Sequence, residues 1–289
     1  MKVLVIGGGL IGSSIVQRLE SEGHELLVFS RTPNVKIKCK QIMGDIFDFE
    51  EFVRALEWKP QVIVHTAWIT TPGVYRDDLS NFKYANFTIN LASYIASTDV
   101  EHFIILGTCA EYGHRSEPST AGLTTPYPTT LYAQQKVTAF NGVRELMLKS
   151  QVRLTWARIF FPYGLNQDQK RLVPYLINSL KFRKPVLLND ISSIHDWITT
   201  RDVASAISWV INNKTPVEID VGTSLGFTNL ELLKVLEELM DTTNRLPVEQ
   251  MHEFGLNEMF IAGKSSPLFA SGWSPADTLS AGLEWVLES

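Results

Sequence analysis

The sequence predicts a doubly wound α/β fold, in which helices cover both faces of a parallel sheet. Short apolar strand patterns alternate with longer amphipathic stretches through about residue 160. The chain also opens on a buried-strand pattern that runs into a glycine-rich turn. Its 289 residues, 45% of them hydrophobic, are enough for a large core and a smaller C-terminal α/β lobe.

Each strand candidate is a short apolar run, and each helix candidate has apolar residues at three- and four-residue spacing. Strands are predicted at residues 2–6, 25–29, 61–65, 102–106 and 153–159, with a weaker one at 41–43. Helices are predicted at residues 10–22, 48–58, 79–98, 130–149, 201–212 and 229–240. The regularity weakens after Gly164, so we expect a first domain over residues 1–165, to which residues 192–215 return. Residues 166–289 are expected to form the smaller lobe.

Composition excludes several classes of partner. The net charge is −5 and the basic residues are scattered, which disfavours binding to nucleic acid. No apolar stretch approaches the ~20 residues of a membrane-spanning helix. Cys39 and Cys109 are the only cysteines, which argues against a disulfide framework or a thiolate zinc site. We therefore expect a cytoplasmic protein without a metal, membrane or nucleic-acid partner.

The glycine-rich turn has the pattern Gly-x-Gly-x-x-Gly directly after the first strand. Gly7 permits a tight turn, Gly9 lets the backbone approach a pyrophosphate, and Gly12 lets the helix pack on the strand. The helix then begins at Leu10 and Ile11, whose free N–H groups face the phosphates. This arrangement predicts a Rossmann-type, dinucleotide-binding domain.

The end of the second strand bears on which dinucleotide is bound. Ser30 and Arg31 stand where NAD-binding domains carry an acidic residue for the ribose hydroxyls, so Arg31 favours the 2′-phosphate of NADP. NAD stays possible, because Arg31 can also be a solvated residue in a turn. Asp45, followed by Ile46 after the third strand, is placed either to meet the adenine amino group or to cap a helix.

Tyr132 and Lys136 lie four residues apart on one face of a predicted helix. A tyrosine hydroxyl has a pKa near 10, and a nearby ammonium group favours its phenolate. Thr108, which closes an earlier apolar run, can donate a hydrogen bond to a carbonyl oxygen and hold it near the Tyr132 hydroxyl. Lys136 can also bind the nicotinamide ribose. The set predicts redox chemistry on an alcohol or a ketone.

Motifs in order along nearly the whole chain resemble the extended short-chain dehydrogenase/reductases of the NAD-dependent epimerase/dehydratase, or nucleotide-sugar-modifying, family. Besides the glycine turn, Tyr132 and Lys136, the matching segments lie at residues 65–67, 86, 107–113, 158–164, 171–174, 195–198, 201–204, 221–223 and 272–275. The resemblance implies a Rossmann-type sheet with a C-terminal substrate lobe, and a homodimer formed through residues 79–98 and 130–149.

The same resemblance implies roles for individual residues. Thr66, Ala67 and Phe160 would border the dinucleotide, together with Tyr132 and Lys136. The catalytic residues would be Thr108, Tyr132 and Lys136. The candidate substrate contacts are Trp68, Cys109, Phe161, Arg171 and His195.

Three of these contacts have a second interpretation. Trp68 and Tyr75 follow the predicted strand at residues 61–65, and they either line the substrate pocket or pack at its rim. Cys109 is an auxiliary acid or a small buried residue, and His195 contacts the ligand or is structural.

The chain departs from the family at several positions. The usual opening, Gly-x-x-Gly-x-x-Gly, would require glycine in place of Ile6. Dehydratases have an Asp-Glu pair where this chain has Cys109 and Ala110, so 4,6-dehydration is not expected. Epimerases commonly have Asn in place of Phe161 and Arg in place of His195, where they contact the diphosphate or sugar. Arg171 or Arg245 would then have to supply the missing cation.

The leading hypothesis is an NAD(P)-dependent oxidoreductase that reduces a keto group, C4 of a nucleotide-linked keto-sugar, with Tyr132 as the acid/base. A nucleotide-sugar 4-epimerase is the alternative within enzymes, since the same residues can oxidise and re-reduce C4. A non-catalytic, dinucleotide-sensing protein is the alternative from another class. Loss of Tyr132 or Lys136 would mark such a protein, and both residues are present.

Overall fold

A computed structural model of the chain describes residues 1–188, 190–242, 248–250 and 259–288. Its strands are β1 (Lys2–Ile6), β2 (Glu25–Ser30), β3 (Lys40–Met43), β4 (Val62–His65), β5 (His102–Thr108), β6 (Arg153–Ile159), β7 (Phe161–Tyr163), β8 (Val186–Leu188), β9 (Ile194–His195), β10 (Trp197–Thr199), β11 (Glu218–Val221), β12 (Phe227–Thr228), β13 (Val248–Gln250) and β14 (Met259–Phe260). Its α-helices are α1 (Leu10–Ser21), α2 (Phe49–Leu56), α3 (Ser80–Ile95), α4 (Leu131–Met147), α5 (Leu172–Lys181), α6 (Thr200–Asn212), α7 (Asn229–Leu239), α8 (Pro267–Ala270) and α9 (Leu279–Leu287).

The central sheet is parallel throughout and has the strand order β11-β6-β5-β4-β1-β2-β3. The order reverses between β1 and β4, where one half of the sheet meets the other. In sheets of this kind the ligand crevice lies outside the carboxyl ends of the strands at such a reversal. The predicted doubly wound, Rossmann-type α/β fold is therefore confirmed, and its topology locates the crevice.

Side chains that alternate along β1 enter two separate cores. Val3 and Val5 pack with Ile207 of α6 on one face of the sheet, where α1 and α6 also pack against each other. Leu4 and Ile6 belong to the core on the other face, which α2, α3 and α4 cover. This two-sided burial explains why the strand is apolar at every position from Val3 to Ile6.

A third core joins α5, α7 and α9 in the C-terminal part of the chain. Leu176, Leu233 and Leu283 are buried there, each from a different helix. Small sheets border this core, with β8 paired to β13 and β9 placed between β12 and β14. The chain returns to the main sheet through α6 and β11, and a domain boundary at residue 165 stays a prediction.

One strand end differs from the sequence prediction in a way that affects the crevice. β5 extends beyond its predicted end to Thr108, because Gly107 and Thr108 continue the register with β6. A 3₁₀ turn, Cys109–Tyr112, follows directly, and the Thr108 side chain caps it. Within the described residues, no helix is both long and apolar enough to span a bilayer.

Candidate active site

A cleft of about 1200 Å³ lies outside the carboxyl ends of the central strands. It brings together nearly all the residues that the sequence analysis selected. Those that line it are Gly7, Gly9, Leu10, Ile11, Gly12, Ser30, Arg31, Ile46, Thr66, Ala67, Trp68, Thr108, Cys109, Tyr132, Lys136, Phe160, Phe161, Arg171 and His195. The residue left outside this lining is Asp45.

Asp45 is exposed and forms a local turn. Its carboxylate accepts a hydrogen bond from the Phe47 N–H at 3.0 Å, while the cap of α2 is Asp48, which accepts from Glu51 N–H. The capping role that the sequence left open for Asp45 therefore belongs to Asp48. Contact between Asp45 and an adenine ring stays a prediction.

The glycine turn has the shape that a pyrophosphate requires. Gly7 has a positive φ of 103°, and a Cβ there would lie 2.6 Å from the Thr66 hydroxyl oxygen. A Cβ on Gly12 would collide with the Gly7 carbonyl oxygen, whereas one on Gly9 would meet nothing within 4 Å. Gly9 precedes α1 without a side-chain cap, so the first N–H groups of the helix stay available. These features fit a bound dinucleotide.

Thr108 and Tyr132 meet at the centre of the cleft. The Thr130 side chain caps α4 by accepting from the Ala133 N–H, which places Tyr132 in the first turn of the helix. The Thr108 hydroxyl lies near the Tyr132 hydroxyl, close enough to affect its pKa. One turn further along α4, the Lys136 ammonium donates to the Leu106 carbonyl oxygen at 2.6 Å. The three residues therefore occupy one site.

Burial governs the electrostatics of this site. Burial raises the pKa of Tyr132 above its usual range, and the neighbouring Thr108 hydroxyl opposes this effect. Burial also lowers the pKa of Lys136 to about 7, against the opposing charge of Glu111. Removal from water therefore disfavours the charged form of both groups. That a charged Lys136 favours the Tyr132 phenolate stays a prediction.

Glu111 holds the backbone of Thr108 in place, a role that the sequence analysis did not assign. Its carboxylate accepts from the Thr108 N–H at 2.9 Å and from the Trp156 indole N–H at 3.0 Å. It also pairs with Arg158 at 2.7 Å, and both charged groups are fully buried. The Thr-x-x-Glu spacing of a capping box was the available signal in the sequence. Arg158 also binds Glu218 at 2.7 Å, which ties the site to β11.

Aromatic side chains fill the other end of the cleft. Phe161 and His195 lie with ring centroids 4.0 Å apart, and Phe260 stacks on His195 at 6.3 Å. Asn229 donates its amide N–H to the Asp190 carbonyl oxygen, so its own carbonyl oxygen accepts from His195 Nδ1 at 3.1 Å. Burial lowers the pKa of His195 to about 4. The residue is therefore a neutral imidazole near pH 7 and does not replace a cationic arginine.

Arg171 crosses towards the loop that follows β4. Its guanidinium donates to the Thr70 carbonyl oxygen and lies 5.3 Å from the centroid of the Tyr75 ring. Tyr75 in turn packs edge-on against Tyr132, with the ring centroids 5.0 Å apart. Arg171 therefore reaches the side of the cleft that holds Tyr132. Arg245, the other candidate cation, lies outside the described residues.

Cys109 follows Thr108 but is only 6% exposed. Burial is the main cause that raises the pKa of its thiol far above the usual range. This environment agrees with the interpretation of Cys109 as a small buried residue. Among the described residues, no group of three or more His, Cys, Asp or Glu side chains is arranged to hold a metal ion.

A sequence model of the NAD dependent epimerase/dehydratase family matches residues 3–222. The chain is 23% identical over 309 residues to a UDP-glucose 4-epimerase of Rhizobium meliloti (strain 1021), covering 96% of this chain and 94% of the relative. It is 28% identical over 262 residues to a dTDP-glucose 4,6-dehydratase of Mycobacterium tuberculosis (strain ATCC 25618 / H37Rv), covering 83% and 78%. The crystal structure of a Thermus thermophilus UDP-glucose 4-epimerase in complex with NAD is 25% identical, with a TM-score of 0.88 over 100% of this chain and 98% of that one.

Replacing Arg158 with methionine is expected to lower the free energy of unfolding by about 3 kcal/mol or more, because Glu111 would keep a buried, unpaired charge. Urea denaturation measures the change. Arg144→Met is the matched control, since Arg144 is exposed and its ion pair with Glu145 is worth at most about 1 kcal/mol. Equal destabilisation by the two substitutions would contradict the assigned role of the buried pair.

Lys136→Met is expected to change how stability depends on pH. The folded protein binds the Lys136 proton with a pKa of about 7, well below the ordinary value near 10.4. The unfolded chain therefore holds more protons between these values, and wild-type stability rises with pH across that interval. Urea unfolding should show that Lys136→Met raises the free energy of unfolding above that of the wild type most strongly near pH 6.5. The increase should be smaller near about pH 9.5. Lys149→Met, at an exposed position, should show no such trend.

Proposed function

The chain belongs to the NAD-dependent epimerase/dehydratase family and is an enzyme of that family. On this premise we propose that it is an NAD(P)-dependent oxidoreductase that reduces the C4 keto group of a nucleotide-linked keto-sugar. One observation carries the proposal: Thr108, Tyr132 and Lys136 meet in the cleft that begins at the glycine turn.

The dinucleotide, when bound along the glycine turn, supplies the hydride for the carbonyl carbon. The Thr108 hydroxyl donates a hydrogen bond to the carbonyl oxygen and holds it beside Tyr132. Tyr132 then transfers its phenolic proton to that oxygen, so the ketone becomes an alcohol. Because burial raises the pKa of Tyr132, the phenol keeps its proton at neutral pH until negative charge develops on the oxygen. Lys136 orients the cofactor ribose.

The charge of the cleft supports an anionic substrate. Arg31, Arg76, Lys136 and Arg171 line it, and Asp168 is the carboxylate among the described lining residues. The chain as a whole carries a net charge of −5, so this cationic wall is a local feature. Such a wall attracts the phosphates of a dinucleotide and of a nucleotide-linked sugar.

A nucleotide-sugar 4-epimerase is the second candidate, because several of the similar curated proteins are UDP-glucose 4-epimerases. An epimerase would use Tyr132 first as a base and then as an acid, while hydride leaves C4 and returns to its other face. Purified protein distinguishes the two candidates. An epimerase retains its dinucleotide and interconverts UDP-glucose and UDP-galactose without added cofactor, whereas a reductase consumes NADPH in proportion to its product.

Tyr132→Phe is expected to lower kcat by about 10³-fold, because the proton donor is removed. The glycine turn is untouched, so binding of the dinucleotide, measured by fluorescence titration, should stay unchanged. Tyr127→Phe is the control, because the Tyr127 ring is 70% exposed. Unchanged turnover in Tyr132→Phe would contradict the role assigned to Tyr132.

Arg31→Gln is expected to weaken NADPH binding by about tenfold or more, because a charge-assisted hydrogen bond to the 2′-phosphate is lost. The affinity for NADH should not change. Isothermal titration calorimetry measures both. Lys38→Gln removes a nearby exposed charge and controls for a general electrostatic effect. If the two variants lose NADPH affinity equally, Arg31 does not select the cofactor, and NAD becomes the assigned dinucleotide.

We also propose a cytoplasmic homodimer in which α3 and α4 pair with the same helices of a second copy. Exposed apolar side chains at Leu79, Phe82 and Tyr94 lie on or directly before α3. Light scattering should give twice the mass of one chain, and Phe82→Glu should shift it towards the monomer, because a charge would enter the apolar contact. A monomeric wild type would contradict the pairing.

A further inference from the structure

Lys136 is a buried cation with few partners for its charge. Lys136 is only 4% exposed, and its ammonium donates a hydrogen bond to the Leu106 carbonyl oxygen. An ammonium has three N–H groups, and a single carbonyl leaves much of its charge unbalanced. Within the described part of the chain, no carboxylate forms an ion pair with Lys136, and Glu111 is already paired with Arg158. The charged form of Lys136 therefore needs a further partner.

The indole of Trp68 lies next to this ammonium. Lys136 Nζ is 3.9 Å from the centroid of the Trp68 ring, closer than the 6.0 Å that separates it from the Tyr132 ring. A cation over the face of an aromatic ring is attracted by the electrons of the ring, most strongly to tryptophan and in a site without water. The Trp68 ring also packs edge-on to Tyr132 at 6.4 Å.

Other residues hold the indole in place. Its N–H donates to the Asn81 carbonyl oxygen at 2.7 Å. The amide nitrogen of Asn81 donates to the backbone carbonyls of Tyr75 and Asp78, which fixes the orientation of the amide. Tyr84 stacks on the indole at 5.5 Å with a 24° angle between the rings. Trp68 is only 7% exposed, so it offers little surface to a substrate.

We propose that Trp68 is a positioning residue whose indole face holds the Lys136 ammonium in its charged form next to Tyr132. The inference goes beyond the role of Trp68 as a substrate contact and rests on the function proposed above for Lys136. In the described part of the chain, three titratable groups face Lys136: Glu111 from the 3₁₀ turn, His65 from β4 and Tyr132 from α4 itself. Burial and the charge of Lys136 lower the pKa of His65 to about 3, so His65 stays neutral and adds no competing charge at neutral pH.

Trp68→Phe and Trp68→Leu form a matched pair for testing this role. Both substitutions shorten the side chain and remove the indole N–H, but only phenylalanine keeps an aromatic face. Competitive acetylation across pH, read by mass spectrometry of the Lys136 peptide, measures the pKa of this lysine without any substrate. We expect the pKa of Lys136 to be lower in the leucine variant than in the phenylalanine variant by about one unit. Equal values in the two variants would overturn the proposal.

Uniform incorporation of 5-fluorotryptophan provides a version of the test that keeps the fold. Fluorine withdraws electrons from the ring face while the shape of the side chain is nearly unchanged. The labelled protein should show a lower pKa for Lys136 and an unchanged melting temperature. An unchanged pKa for Lys136 in the labelled protein would also overturn the proposal, even if Trp68→Leu fails to fold.

Activity measurements separate this inference from the proposed function. If Lys136 works in its charged form, turnover of Trp68→Leu should fall with rising pH about one unit earlier than turnover of Trp68→Phe. A pKa difference between the variants without this change in turnover supports the positioning role and contradicts the catalytic use of the charge. Loss of turnover in Tyr132→Phe, together with equal pKa values for Lys136 in the two Trp68 variants, supports the function and contradicts the positioning role.

Discussion

The parallel pairing of β1 with β4 is the constraint on which the arrangement of the functional residues depends. Ile6 pairs with His65 in register, so the glycine turn after β1 and the Thr66-Ala67 segment after β4 emerge side by side. The Thr66 hydroxyl then donates to the carbonyls of Ile6 and Gly7 at 3.0 Å, which joins the two loops. β5 continues the same edge and ends at Thr108. The glycine turn and the residues proposed to transfer a proton are neighbours because these strands are neighbours.

Removal from water governs the chemistry of this edge. Four titratable side chains lie where water solvates charge poorly. The pair of Glu111 and Arg158 responds to this burial differently from the pair of Tyr132 and Lys136. Glu111 and Arg158 meet at 2.7 Å and stabilise each other, so they form a rigid support beneath Thr108. Tyr132 and Lys136 have no such partner among the residues that the structure describes, and burial shifts the pKa of each towards its neutral form. The charged Glu111–Arg158 pair is thus fixed, and it lies next to Tyr132 and Lys136, whose protons can move.

The substrate end of the cleft departs most clearly from the family pattern. His195 is neutral because burial among aromatic neighbours disfavours its charged form, and the hydrogen bond with Asn229, which favours that form, only partly opposes this effect. The cations of the cleft come instead from Arg171 and from Arg76, whose backbone carbonyl accepts the Tyr132 N–H at 2.9 Å. Positive charge therefore lies on the side of the cleft that also holds Tyr132.

The sequence by itself determined the features that depend on short stretches of chain. β1 and β6 have the predicted bounds, and the Gly-x-Gly-x-x-Gly turn follows from local backbone geometry. The four-residue spacing likewise places Tyr132 and Lys136 on one helix face. The tertiary structure decided the charge states and the partners, because desolvation and ion pairing depend on residues far apart in the chain. Glu111 contacts Arg158, 47 positions away in the chain, and Lys136 of α4 contacts Trp68 of the loop after β4 only in the folded protein.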